Sequence, residues 1–98
     1  MPLFAFHNLD NDINGAELRA ANRPAHLAWV QTLGEAVRMA GPLLSEDGRM
    51  IGSLCLIEAD SLAAAKALGA EDPYARAGVF GEVRVHEVNW LIGEGKRA

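Results

Sequence analysis

The segment from Met50 to Glu58 is apolar in both phases of a β-strand. Ile51, Cys55 and Ile57 fall on one side of an extended chain and Leu54 and Leu56 on the other, because successive strand side chains point to opposite faces. A sheet containing such a strand needs a packed layer on each side. The last extended segment, Val83 to Ile92, makes a similar demand. Val83 and Val85 share one phase, whereas Val88, Trp90 and Ile92 share the opposite one. A bulge, or burial against different neighbours at the two ends, would account for that change.

The other segments supply one layer. Leu3 to His7 reads as a strand, and Asn8 to Asn22 as a loop rich in turn formers that turns helical near Ala16. Asn22 or Arg23 can cap a helix whose first turn contains Pro24, where the missing N–H costs nothing. Leu27, Val30, Leu33 and Val37 then form its apolar stripe. Met39 to Leu44 contains Gly41-Pro42 and suits an edge strand. Ser45-Glu46-Asp47-Gly48 turns it into Met50 to Glu58 as a hairpin. Asp60 or Ser61 caps a second helix that carries Leu62, Ala65 and Leu68 and ends at Gly69. Asp72-Pro73-Tyr74 opens a further turn or short helix.

The resulting order, β-α-β-β-α-β, is the ferredoxin-like arrangement: an α+β fold with an antiparallel sheet and both helices on one face. The other face is apolar and uncovered. With 98 residues, half of them hydrophobic, the chain suits a single domain (1–98) with a limited core. A second copy is the simplest cover, which predicts a homodimer with sheets packed face to face.

Charge and composition narrow the function. The net charge is -4, and Lys96-Arg97 is the only basic cluster, which argues against nucleic acid. No apolar run has the length of a membrane span, and no export signal is visible. The single cysteine, Cys55, excludes an internal disulfide and fits a reducing cytoplasm. It has the surroundings of a small packed hydrophobe. Asp10 to Gly15 imitates the start of a calcium loop, but the position that would need a bidentate glutamate is Ala21. No metal and no cofactor is expected.

Two residues suit proton chemistry. Histidine is the side chain that changes charge near neutral pH, so His26 is a candidate general base and acid. Asp72 could orient it and stabilise its charged form, or cap the Pro73 turn, or do both. A helix N-terminus would disfavour the imidazolium of His26 and a nearby carboxylate would favour it. The structural alternative is a histidine at the core edge bonded to backbone. Ser53 and Tyr74 could donate hydroxyl hydrogen bonds to a substrate, or be satisfied inside the fold. Arg23 could pair with an acid group, or simply be solvated.

On these segments the chain resembles the YciI-like family of the dimeric α+β barrel group. The resemblance rests on Arg23-Pro24-Ala25-His26-Leu27, Ala40-Gly41-Pro42, Gly52-Ser53 and the stretch from Ala59 to Val83. That stretch holds Asp72-Pro73-Tyr74 and Ala77-Gly78-Val79-Phe80. The resemblance implies a dimer through the sheets and a site built around a histidine and an aspartate, which fall on His26 and Asp72. It also implies, for some relatives, dehydrochlorinase-like or lactone-isomerase-like chemistry on small organic acids. Two functions follow as expectations. One is a small acid–base enzyme acting on a small anionic metabolite, with Arg23, Ser53 and Tyr74 contacting substrate. The other is a non-catalytic binding or interaction module on the same scaffold.

Overall fold

The computed structural model describes residues 1–95; Lys96-Arg97, the basic pair noted above, lies outside the described residues. Four strands form one antiparallel sheet: β1 (Leu3–Asp10), β2 (Val37–Leu44), β3 (Met50–Glu58) and β4 (Phe80–Val88), in the order β2-β3-β1-β4. Three helices join them: α1 (Gly15–Leu33), α2 (Leu62–Ala70) and α3 (Pro73–Ala77). This is the expected ferredoxin-like α+β protomer, with β1 central. No helix among the described residues is long and apolar enough to cross a membrane.

The ladders fix which residues share a face. Phe4, Phe6 and Asn8 of β1 stand opposite Ile57, Cys55 and Ser53 of β3. On the other side, Phe6 and Asn8 pair with Val85 and Val83 of β4. This is the helix-covered face. Its core is Phe4, Phe6, Ile57, Ala59 and Ala65, with Leu33, Val37, Leu68 and Val85 packed around them. The alternate residues, among them His7, Leu54 and Leu56, occupy the second face. Leu54 and Leu56 are half-buried there and Met39 is exposed.

Two elements depart from the sequence reading. The first is α1, which begins at Gly15 and carries Pro24 in its interior rather than in its first turn. Tertiary bonds outweigh local propensity at that start. The Asn11 side chain accepts from the backbone of Ile13 at 3.0 Å and of Asn14 at 2.8 Å, which shapes the turn before the helix. Its amide nitrogen also donates to the Gly78 carbonyl at 2.7 Å, tying that turn to the corner before β4. The segment read as a loop turning helical near Ala16 is therefore a strand end, a tied turn and, from Gly15, the first turns of the same helix that carries Pro24.

The second departure is β4, which ends at Val88. Its register with β1 runs unbroken from Leu3↔Val88 to Leu9↔Glu82, and the shift lies at Asp10↔Phe80. Val83 and Val85 face the helices, Val88 lies on the second face, and Trp90 and Ile92 follow the strand. The phase change needs no bulge within the strand: Trp90 and Ile92 are simply not part of it.

The end of the chain on either side of the site is held by short-range devices. Ser61 caps α2 by accepting from Ala64 N at 3.0 Å. Asp72 caps α3, and Gly78 closes it with φ +83°, a left-handed conformation natural to glycine. Gly52 serves a different need, close approach: a Cβ there would lie 2.3 Å from the Asn8 carbonyl oxygen. Backbone cannot yield as a flexible side chain can, so Gly52→Ala should destabilise the fold by about 2–3 kcal/mol. Urea unfolding reads this directly, and an unchanged midpoint would mean that β1 and β3 separate more easily than their register implies.

Candidate functional site

His26 and Asp72 are brought together. His26 Nδ1 lies 2.8 Å from Asp72 Oδ1, and the two side chains retain 14% and 9% of their exposure. In the tautomer that donates from Nδ1 to this carboxylate, Nε2 is the nitrogen left free. The same Asp72 oxygen accepts from the backbone N–H of Tyr74 at 2.9 Å. One atom thus caps α3 and orients the imidazole, the combined use allowed for by the sequence. Because α1 begins early, His26 sits well inside the helix, so the N-terminal dipole argument does not apply to it.

Tyr74 forms a backing plate for the imidazole. The two rings are stacked, with centroids 3.9 Å apart and planes 7° from parallel. Phe80 meets the Tyr74 ring edge-on at 6.1 Å, and the Arg19 guanidinium lies over it at 4.8 Å. Tyr74 is buried, and burial raises its phenol above the usual range; the charges of Arg19 and Arg23 act in the opposite direction. Ser53 is also buried, and its hydroxyl accepts from Arg19 Nη2 at 2.9 Å. Arg23 is exposed on α1, near enough to Tyr74 to act on it electrostatically.

Arg19 and Asp10 did not stand out in the sequence, yet they organise this cluster. Arg19 Nε donates to Asp10 Oδ2 at 2.8 Å and Nη2 to Asp10 Oδ1 at 2.7 Å. The bidentate geometry is that of a strong charge-assisted pair. Hydrogen bonding to Asp10 raises the Arg19 guanidinium further above its already high range, with burial opposing. Both oxygens of Asp10 are taken in this way, which disposes of the calcium-loop resemblance at that residue. The signal was present: Arg19 precedes His26 by seven residues, two helical turns, and therefore shares its face. Reading α1 from Arg23 hid it.

A cavity of about 530 Å³ opens between the helix-covered face of the sheet and α2–α3. Of the His26–Asp72 pair, Asp72 lines it. Phe6, Cys55, Ile57 and Val85 give it an apolar floor, Trp29 and Phe80 add aromatic walls, and Asn8 and Lys66 are further polar residues of its wall; Arg84 and His86 of β4 also border it, in the strand phase whose side chains belong to the second face. Such a mixture of apolar walls and few polar groups is typical of small-molecule sites. Asn8 is 6% exposed, and its Oδ1 is buried without a hydrogen-bond partner among the described residues. A buried acceptor left unpaired costs about 1–3 kcal/mol.

The fold defines a class: small ferredoxin-like α+β proteins, here with a His–Asp contact beside a cavity of about 530 Å³. The comparisons identify the family. The YCII-related domain matches residues 3–89, and the chain belongs to that family. It is 40% identical over 77 residues to Protein YciI of Escherichia coli O6:H1, a match covering 70% of this chain and 79% of that protein. Protein YciI of Shigella flexneri matches equally. Among solved structures, the chain resembles the 5-chloro-2-hydroxyhydroquinone dehydrochlorinase TftG from Burkholderia phenoliruptrix AC1100, in complex with 2,5-dihydroxybenzoquinone. That match has a TM-score of 0.80 and 28% identity, over 97% of this chain and 99% of that one. An uncharacterized NIPSNAP domain protein from Burkholderia xenovorans shares the fold alone, at a TM-score of 0.52 and 12% identity over 93% and 95% of the two chains. The protomer is that of the dimeric α+β barrel superfamily.

Cys55 gives the site a measurable signature. Burial, with the charge of Asp72 adding to it, pushes the Cys55 thiol up to about 11 from its ordinary 9.0. The thiol is therefore a neutral wall atom, inert as a nucleophile at neutral pH. Between pH 9 and 11 the unfolded chain ionises this group while the folded chain does not, so stability present below that window is lost as pH rises through it. Tyr74, raised in the same sense, adds to the loss. Urea unfolding at stepped pH should show the decline, and Cys55→Ala should remove part of the slope; an unchanged slope would place the thiol in contact with solvent.

Proposed function

We propose that this protein is a small acid–base enzyme acting on a compact, anionic or hydroxylated organic molecule, by isomerisation or by elimination of a leaving group. The observation that carries the reading is the 2.8 Å contact between His26 and Asp72, a residue that also lines the cavity. Nε2 of His26 would take a proton from the substrate, and Asp72 would stabilise the imidazolium that forms. In an isomerisation the proton returns at a second position. In an elimination it leaves from one atom while the leaving group departs with its electron pair from the neighbouring atom. The relative named as a dehydrochlorinase supports chemistry of this second kind. Lys66 on α2 is the basic side chain at the cavity that would favour an anionic ligand. Arg23 is the candidate for a further contact at the exposed end of the pair, whereas Ser53 and Tyr74 would act by holding Arg19 and His26 in place.

The test begins with a thermal-shift screen of small organic acids and hydroxylated rings against the wild type and His26→Ala. On any substrate found, His26→Gln should lower kcat by about 10²–10⁴-fold, the usual range for a general acid–base group. Asp72→Asn should keep the shape of the corner and lower kcat, because the charge opposite the imidazolium is gone. Activity that survives His26→Gln would move the reading to the non-catalytic binding module.

We also propose that the protein is a homodimer, in a reducing cytoplasm, closed through the second face of the sheet. Leu54 and Leu56 on that face, with exposed Met39 beside them, support it, since a contiguous apolar patch on a small domain is costly in water. An obligate dimer commonly buries upwards of about 2,000 Å². Light scattering after size exclusion should give twice the chain mass at micromolar concentration. Leu56→Glu should yield a monomer or an unfolded chain. A stable wild-type monomer would remove the proposal.

A further inference from the structure

The helix-facing side of β1 reads Phe4, Phe6, Asn8, and the third position breaks the apolar pattern. Asn8 is as buried as its neighbours, at 6% exposure. Across the sheet it faces Ser53, whose hydroxyl is engaged by Arg19, and on its other side Val83. Nothing among the described residues pairs with its Oδ1. Yet Asn8, like Asp72, is among the residues that line the cavity, and the Asn8 Oδ1 is itself buried rather than open to the cavity. A leucine, with the same number and branching of side-chain heavy atoms, would present no unpaired acceptor at this position. The polar group is therefore suited to a partner that the protein itself does not supply.

We propose that Asn8 is a specificity-determining residue whose carboxamide takes a hydroxyl group of the molecule bound in this cavity. The inference rests on the reading of the cavity as a substrate site and adds what that site reads. The terminal torsion of asparagine is broad and nearly two-fold, so the oxygen turns towards a ligand without any movement of β1. Phe6, Cys55 and Val85 beside it accept the apolar body of the ligand, and Asp72 marks the end where the proton is moved. The ligand class is thus a small ring or chain with an apolar body and a hydroxyl one end away from the reacting atom. A site built around a hydroxyl rejects the analogue that lacks it more strongly than an apolar pocket rejects an extra group.

The test compares hydroquinone with 1,4-dimethoxybenzene, which has the same ring but no hydroxyl hydrogen, by isothermal titration calorimetry on the full chain. The wild type should bind hydroquinone at least about tenfold more tightly, and Asn8→Leu should bring the two affinities to within about twofold, with an unfolding temperature no lower than the wild type. Asn8→Asp, which keeps the shape and the acceptors, should retain the preference. Equal affinities in the wild type, no binding of either probe, or a preference that survives in Asn8→Leu would each overturn the proposal. So would a loss of preference accompanied by a large fall in unfolding temperature, which would make Asn8 a structural residue. His26→Gln separates this from the acid–base reading. It should abolish turnover on a found substrate and keep the hydroxyl preference, so either claim can fail while the other stands.

Discussion

The bidentate pair between Arg19 and Asp10 is the contact through which the site is assembled. It ties the early turns of α1 to the end of the central strand, and the same guanidinium reaches Ser53 on β3 and lies over Tyr74 on α3. Four elements therefore meet at one charged group. Burying two ions is expensive, and their attraction offsets that cost only when geometry is good and the remaining hydrogen-bonding capacity is used. Here it is used, by Ser53. The arrangement also explains why the N-terminal half of α1 buries polar residues: that half covers a site, while the C-terminal half, with Leu33, packs on the core.

From Arg19 the order passes along a stack. The guanidinium lies over Tyr74, the Tyr74 ring lies against His26, and His26 is held in plane by Asp72. Each contact restricts the next, so the imidazole has little rotational freedom left. That is what proton transfer asks of a base, since misplacement by even an ångström is costly. A second local cost lies nearby, where Asn8, a residue of the cavity wall, keeps an unpaired buried oxygen. Sites of function are where such local violations are expected.

The strands and the second helix were legible because each has a short-range or periodic signature, whereas the His–Asp pairing, 46 residues apart, was expected from the family resemblance. Ser61 caps α2 as any serine before an apolar helix can, and β3 occupies the span of its two-sided apolar run. The turn to helix near Ala16 was legible, but not its unbroken run through Pro24 nor the bonds that fix its start, which are tertiary. Asn11 reaches a carbonyl 67 residues away, and Asp10 is claimed by Arg19 only once the chain has turned. Pro24 then misled, since proline favours a first turn but is tolerated elsewhere when packing compensates. Arg19 and Asn8 were missed for a related reason. A polar residue on a buried face looks, in one dimension, like a residue on the outside.

Asp72 Oδ1 does two jobs of unequal dependence. The bond from Tyr74 N shapes the corner before β4 whether or not a histidine is present, whereas the bond from His26 serves only the imidazole. A chain that kept this corner but lost the histidine would still need the aspartate, because the corner depends on it. An Asp-Pro pair at this place is consequently a mark of the corner's architecture. Only the histidine two turns beyond the buried arginine bears on the acid–base proposal.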